Sequence, residues 1–531
     1  MATDPIQQAA LVGIPQIAEI ANVGRSAVGN WRKRHSDFPA AKVQTPSGAL
    51  FDLREVEDWL IEQGKISQRA PASARLWGLA DAARGLWKPD EFVTFSVSCL
   101  VYMEACARAQ HRDSSERALP QPHIPAGAAW SDIRARPPQE FLRALTEGAR
   151  AVEASNPELQ GLLDPRLREL DPSGASRLAY QVAMTLDAAT DDVSTRFVLF
   201  EGLVDLEALD RFSGEFSTPG DVSRLVSRLA DFRGGTIVDP AVGEGDLLLR
   251  AAFQDPESTV DAQVLGIDIN ADTCRRARSR FYLYGRDAEI RNENALIADP
   301  ESLPLADTLV LDPPYGLGNW ASAELYVDPR WQFGPPPPSS ADFAWLQLAA
   351  RRLKPTGRAA VLMGTGSLTR TGREGAIRRA MVGAGVVEAV VVLPPRLRTN
   401  TSIALAVWLL RSPAAGIDAE DVLLVDASEL GVSGRSQFSL PQSSIDRLVT
   451  LVSRWREKKE ISTADVAIAA SVSLDEVLAA DASLDARRYW SQPSIDLGAI
   501  EETAQVLRRS LKENSSSAAV VELLTYLENR T

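Results

Sequence analysis

An α/β fold built on a mostly parallel sheet is predicted for residues 206–412, on three observations. Short β-rich runs alternate there with helical segments. The first run, Thr236-Ile-Val-Asp239, passes straight into a glycine-rich turn, Pro240-Ala-Val-Gly-Glu-Gly245, and a helix follows from about Asp246. The second run, Val264-Leu-Gly-Ile-Asp268, ends on an acid. Strands that alternate with helices pack as a parallel sheet with helices on both faces. Texture divides the rest of the chain. Residues 1–66 read as a winged helix-turn-helix, 71–205 as a helical domain rich in Ala, Leu and Arg, and 413–531 as a mostly helical region that opens with one more strand-like run, Val422–Asp426.

Composition sets the bounds. The chain has 531 residues, 45% hydrophobic and 24% charged, an ordinary globular balance with room for several cores. Lys and Arg number 57 against 71 Asp and Glu, so the net charge is −14. That excludes a uniformly basic nucleic-acid coat but leaves room for a local basic patch. Cys99, Cys106 and Cys274 form no paired framework, and His35, His111 and His123 do not cluster. No disulfide scaffold and no metal site are expected. The opening MATDPIQQAA carries no basic stretch ahead of an apolar core, so no signal peptide is expected. The most apolar stretch, Val386 to Pro395, is broken by Glu388 and too short to span a bilayer. A soluble, cytoplasmic protein is the expectation.

In the N-terminal unit, Pro15–Ala21 reads as a short helix, Asn22-Val-Gly24 as a turn and Arg25–Arg34 as a second helix. This is the spacing that presents a second helix to a major groove. From Gly24 to Lys42, five cations (Arg25, Arg32, Lys33, Arg34, Lys42) face one acid, Asp37, for a local charge of +4. Such an island suits phosphate contacts. The alternative is a solvated basic face on a protein-docking module. Lys42–Phe51 reads as a hairpin wing around Ser47-Gly48, and Leu53–Gln63 as a closing helix stopped by Gly64. Trp31 fits a packing role. The unit resembles the winged helix-turn-helix of excisionase and MerR-type proteins.

The chemistry concentrates at the strand ends. A glycine-rich turn between strand and helix lets backbone approach a ligand closely. Its spacing is neither the dinucleotide G-x-G-x-x-G nor a phosphate-binding P-loop. An acid at the tip of the second strand, Asp268, is placed to take the ribose hydroxyls of a cofactor held over the first. A third run, Ala288–Arg291, precedes Asn292-Glu-Asn294. A fourth, Thr308–Leu311, ends in Asp312-Pro-Pro-Tyr315. An exocyclic amine on a nucleobase is a poor nucleophile, because its lone pair is delocalised into the ring. The Asp312 carboxylate and the Pro313 carbonyl can both accept from such an amine and favour a pyramidal nitrogen. Pro313 and Pro314 stiffen the backbone so that the acceptors are preorganised. Tyr315 offers a ring for stacking on a flipped-out base.

With these motifs in order, residues 206–412 resemble the N6-adenine DNA methyltransferases, in particular the M (modification) subunits of type I restriction–modification systems. Gly214-Glu-Phe-Ser-Thr-Pro219 is similar to the family's segment at the methionine part of S-adenosylmethionine. The resemblance therefore implies cofactor contacts from Glu215, Phe216, Ser217, Thr218 and Pro219. It assigns Asp239, Ala241, Val242, Gly243 and Gly245 to the family's glycine motif, Asp268 to the ribose, and Asn294 to the cofactor's adenine. It makes Asp312, Pro313, Pro314 and Tyr315 the catalytic motif. Trp331-Gln-Phe-Gly334, Ser340–Trp345, Leu353–Gly357 and Val392-Leu-Pro394 follow in the family's order. The implied fold is the class I S-adenosylmethionine-dependent methyltransferase, Rossmann-like, with S-adenosylmethionine as cofactor. Four features depart from the pattern. Ser217 stands where an aromatic is common, Asn294 where an Asp is frequent, and Asp312 where Asn is more usual in these M subunits. The N-terminal helix-turn-helix is an addition.

The implied reaction is direct methyl transfer to the N6 amine of a flipped adenine in double-stranded DNA, in restriction–modification or phage defence. Gly316–Pro338 reads as a flap near the target nucleotide, where Trp320 and Trp331 either stack on DNA or pack within the flap. Cytosine N4 presents the same amine geometry. Protein glutamine methylation and a non-catalytic DNA-binding regulator are further alternatives. A specificity subunit or other defence-system partner is expected to read the DNA sequence, unless the N-terminal unit does so.

Overall fold

The computed structural model describes residues 11–12, 14, 17–18, 21, 23–35, 37–45, 48–65, 87–110, 119–163, 172–190, 193–210, 218–254, 262–398, 403–415, 420–433 and 438–489. Of the predicted site residues, Glu215, Phe216 and Ser217 lie outside these, as do residues 490–531.

In the N-terminal unit the strands β1 (Leu11–Val12), β2 (Ala41–Thr45) and β3 (Gly48–Asp52) form an antiparallel sheet in the order β1-β3-β2. Helix α1 (Arg25–Arg34) precedes the β2–β3 hairpin, and α2 (Leu53–Glu62) follows it. The expected Pro15–Ala21 helix is described only in part. There Ala21 N–H donates to the Ile17 carbonyl at 3.1 Å, and Ile17, Ala18 and Ala21 are buried. A small core gathers Ile17, Val28, Phe38, Phe51, Val56 and Trp59. Trp31 packs at its margin, 6.0 Å from Trp59.

The helical domain contains α3 (Pro89–Gln110), α4 (Trp130–Arg134), α5 (Pro138–Ser155), α6 (Pro172–Ala188) and α7 (Val193–Asp210). Among the described residues α3 is the helix long and apolar enough to cross a membrane, and most of it is buried within the protein. Its all-round apolar surface is that of a core helix, with Phe92, Phe95, Leu100 and Tyr102 packed inside the bundle.

The α/β unit opens with α8 (Gly220–Ala230), followed by β4 (Gly235–Asp239), α9 (Asp246–Ala252), β5 (Ala262–Asp268), α10 (Ala271–Tyr284), β6 (Glu289–Asn292) and β7 (Ala306–Leu311). Next come α11 (Asp342–Arg351), β8 (Leu353–Gly364), α12 (Gly372–Gly383), β9 (Val387–Val392), β10 (Leu405–Arg411) and β11 (Asp421–Asp426). A short hairpin of β12 (Val432–Ser433) and β13 (Phe438–Ser439) precedes α13 (Gln442–Arg456), β14 (Ala469–Ser473) and α14 (Leu474–Ala479). The nine-stranded sheet runs β14-β11-β9-β10-β8-β7-β4-β5-β6. Strands β6, β5, β4, β7 and β8 pair in parallel. Strand β10 enters antiparallel between β8 and β9. Both faces are covered, so the strands read as near-continuous apolar runs. In β7, Leu309 and Leu311 join one core layer and Val310 the other, the period of two expected of a strand.

The sheet does not stop at residue 412. Strand β11 pairs in parallel with β9, and β14 pairs antiparallel with β11. Strand β11 is the strand-like run expected at Val422–Asp426, whereas β14 falls where only helix was expected, so the region after residue 412 supplies two strands of the catalytic sheet. Helix α13 packs its Ile445, Leu448 and Val452 into the core layer that also holds Val222, Leu225 and Val226 of α8. Ala469–Ser473 escaped the sequence reading because it is short and small-residue-rich, which carries little periodic signal.

Glu388, which interrupts the apolar run in β9, is buried and held by Arg456 at 2.7 Å and Arg358 at 3.4 Å. A lone charge in a central strand is tolerated because its partners are built in.

Candidate active site

Chain order reverses between β4 and β7: β5 and β6 lie to one side, β7 and β8 to the other. Ligands of open α/β sheets bind at such a switch point, outside the carboxyl ends of the strands. Every described residue that the sequence assigned to cofactor or catalysis sits at these ends or in the segment entering α8.

The turn after β4 is tied down by backbone. Ala241 N–H donates to Asp239 Oδ1 at 3.0 Å, and Val242 N–H donates to the Ile267 carbonyl at 2.8 Å. Gly243 N–H donates to Asp268 Oδ2 at 3.1 Å. Gly243 adopts φ 53°, and a Cβ there would meet nothing within 4 Å, so its backbone faces open space. Gly245 adopts φ 85° where α9 begins, and a Cβ there would press on Ala277 and Phe281 of α10 at 3.3 Å. Left-handed backbone favours glycine at both positions, and at Gly245 close packing adds to that preference.

Asp239 is buried, and burial pushes its carboxyl well above the usual range, with the charges of Asp312 and Asp268 adding to the effect. Its hydrogen bond to Ala241 makes it a brace for the turn. Val242 points into the core and reaches the site only through its backbone. Asp268, half-exposed at the tip of β5, also accepts from Asn270 N–H at 2.8 Å. Asn294 is half-buried after β6, and its Oδ1 accepts from Leu296 N–H at 3.1 Å. Ile269, which follows Asp268, is 71% exposed. Sequence reading passed it over, although a large apolar residue directly behind a strand-tip acid was a usable signal.

At the tip of β7, Pro313 is buried and the Asp312 side chain is 6% exposed. Asp312 Oδ1 accepts from the Tyr315 hydroxyl at 2.5 Å. Asp312 Oδ2 accepts from the Thr218 hydroxyl and from Arg398 Nη2. Thr218, expected at the cofactor, therefore also touches the catalytic candidate, and Pro219 caps α8 beside it. Burial, with the Asp312 charge adding, raises the Tyr315 hydroxyl well above its ordinary value, so it remains a proton donor. Arg398 follows β9 and carried no motif that would have marked it.

The Gly316–Pro338 segment is a packed cover. Trp320 and Trp331 are buried, meet edge to face at 5.4 Å, and donate to the carbonyls of Pro337 and Leu325. They pack within the flap and are not presented for stacking on DNA. Buried Asp342 accepts from Gly316 N–H at 2.8 Å and pairs with Arg370 at 2.7 Å, which pins the flap to α11.

Behind the glycine turn, α10 joins the sheet to the helical domain. Arg276 pairs with Glu244 at 2.7 Å. Arg280, 3% exposed, pairs with Glu201 of α7 at 2.8 Å and donates to the Glu244 carbonyl at 2.6 Å. Away from this site, Arg25, Arg32, Lys33 and Arg34 are exposed on α1; Lys42 lies in β2, with its side chain outside the described residues.

Residues 203–496 match the family model described as N-6 DNA Methylase. The chain belongs to the N-6 DNA methylase family. Among the relatives of this methylase is the HindI type I restriction enzyme methylase subunit of Haemophilus influenzae, 28% identical over 327 residues, covering 60% of this chain and 73% of that one. The MjaVIII methylase subunit of Methanocaldococcus jannaschii is 24% identical over 412 residues, covering 72% and 69%. The MjaIX subunit of the same organism aligns over only 45% of its own length. In fold, the methylase is similar to the type I restriction–modification methyltransferase subunit from Streptococcus thermophilus. The TM-score is 0.65 at 23% identity, covering 79% of this chain and 98% of that one. The architecture is that of the class I S-adenosylmethionine-dependent methyltransferases, and the family is that of adenine-N6 DNA methyltransferases.

Proposed function

We propose that the chain is the methyl-transferring subunit of a DNA modification enzyme and acts on the N6 amine of an adenine turned out of the duplex. The observation that carries this reading is the Asp312-Pro-Pro-Tyr315 motif at the tip of β7, directly across the switch point from the glycine turn of β4 and from Asp268. The residues present fit S-adenosylmethionine. An open glycine backbone at Gly243, a half-exposed strand-tip carboxylate at Asp268, an amide at Asn294 and an apolar side chain at Ile269 suit, respectively, close approach, a ribose diol, a ring nitrogen and a purine face. Glu215, Phe216 and Ser217 are assigned to the same cofactor by motif. When bound, S-adenosylmethionine supplies a methyl group already activated on sulfur, so the protein needs no covalent intermediate.

The chain's own task is to hold the amine. The Asp312 carboxylate and the Pro313 carbonyl accept its hydrogens, which directs the nitrogen lone pair outward, and the two prolines keep both acceptors in place. The protonated Tyr315 hydroxyl fixes one oxygen of Asp312 while its ring offers a stacking surface. We assign phosphate contacts to Arg25, Arg32, Lys33, Arg34 and Lys42 of the N-terminal unit, supported by four exposed cations on one helix. Sequence choice falls to a specificity partner. Residues 413–473 are used to complete the catalytic sheet, and the relatives named above are themselves subunits.

The test is transfer of labelled methyl groups to unmethylated duplex DNA, by the purified chain and by the chain with its co-purified partners, followed by separation of the nucleosides. Label in N6-methyldeoxyadenosine is expected. Asp312→Ala should lower the rate by at least about a hundredfold, because it removes a preorganised acceptor, while cofactor binding persists. Label in N4-methylcytosine, or a rate that survives Asp312→Ala, refutes the assignment.

A further inference from the structure

The Asp312 carboxylate already has its donors. Thr218, Tyr315 and Arg398 place three hydrogen bonds on its two oxygens, and its side chain is 6% exposed. Two of these donors belong to the fixed frame. Tyr315 lies in the same turn as Asp312, and Thr218 directly precedes the cap of α8. Arg398 is different. It reaches in on a long side chain from the segment after β9, and its Nη2 also contacts the Tyr315 hydroxyl at 3.1 Å. Its guanidinium lies over the Tyr315 ring, 5.0 Å from the centroid. One planar, N–H-donating group thus occupies both positions a target adenine needs: the acceptor that would take its amine and the ring on which it would stack.

We propose that Arg398 is a gate on the target-base site, standing in for the base amine on Asp312 and leaving when a base enters. The proposal rests on the adenine-methyltransferase reading of the same site. Its logic is competition between like groups. A guanidinium and an adenine amine are both N–H donors carried on flat, delocalised frames, so each can satisfy Asp312 and cover Tyr315, but not both at once. A cation is the stronger partner for a carboxylate, so the gate stays shut against solvent and weakly held bases. A base delivered by bound DNA, positioned by many contacts elsewhere, can displace it. The apparent affinity for a free base is then reduced by the fraction of molecules in which the gate is open.

This predicts a gain of binding on mutation, which a merely structural ion pair would not produce. The probe is 9-methyladenine, added to the full-length protein saturated with S-adenosylhomocysteine so that the cofactor's own purine site is filled. Binding is followed by saturation-transfer NMR. Arg398→Met keeps the bulk of the stem but removes the charge and the donors. It should bind the probe about tenfold or more tightly than the wild type. Arg398→Lys, which keeps the charge without the planar fork, should fall between them and guards against a folding defect in the first variant. Unchanged S-adenosylhomocysteine affinity verifies that the fold survives. Equal binding by wild type and Arg398→Met overturns the gate while leaving the adenine site intact. Weaker binding by Arg398→Met also overturns it, by making Arg398 a base contact. Probe binding by none of the proteins refutes the underlying adenine reading, and the gate with it.

Discussion

Replacing Arg280 by methionine removes the cation that links the helical domain to the glycine turn. In the structure Arg280 is 3% exposed, makes two bonds to the Glu201 carboxylate at 2.8 and 3.2 Å, and donates to the Glu244 carbonyl at 2.6 Å. Removing one partner of a buried ion pair costs about 3–5 kcal/mol. Glu201 keeps 28% exposure, so water can recover part of its solvation and the lower figure applies. A loss of about 3 kcal/mol corresponds to roughly 150-fold in an equilibrium constant. Part of that loss falls on the glycine turn, because the Glu244 carbonyl loses its donor. S-adenosylmethionine affinity by titration calorimetry should therefore drop about tenfold or more. The double variant Glu201→Leu/Arg280→Met removes both charges. It should regain thermal stability without regaining cofactor affinity, since the turn still lacks its donor. The effect also has a pH signature. Burial would raise the Asp246 carboxyl, but Arg280 and Arg250 overcome it and hold it below its ordinary range. A carboxylate depressed in the folded state stabilises above its unfolded value and loses that contribution as pH falls through its folded value. The stability gap between wild type and Arg280→Met should thus be full at neutral pH and narrow below about pH 4. Cofactor affinity within about twofold of wild type would refute the argument, because it would mean the turn holds its shape without Arg280.

Two further outcomes are expected. Tyr315→Phe keeps the ring but removes the donor on Asp312 Oδ1, so the maximal methylation rate should fall about tenfold with little change in DNA affinity. The wild-type hydroxyl stays protonated, so the alkaline side of the rate profile should have the same shape in both proteins. Neutralising Arg32, Lys33 and Arg34 together should reduce the slope of log affinity against log salt by up to about 2.7, at roughly 0.9 for each phosphate that is no longer neutralised. An unchanged slope would favour a protein-docking role for the N-terminal unit.

What the sequence determined by itself was local. The strands ending at Asp239, Asp268 and Leu311 were legible because buried parallel strands are unbroken apolar runs closed by turn residues. The glycine turn and the Asp-Pro-Pro-Tyr corner were legible because their backbone needs are written in residue type. Helix α1 and the hairpin after it were legible for the same reason. Tertiary structure decided the partners. Thr218 and Arg398 stand 94 and 86 residues from Asp312 and meet it only because the start of α8 and the end of β9 converge at the carboxyl end of β7. The insertion of β10, the recruitment of β11 and β14, and the turning of Trp320 and Trp331 into the flap depend equally on long-range packing. Periodicity reports which face of an element is apolar. It carries no information on which distant element will cover that face, nor on which charge will find a carboxylate across the sheet.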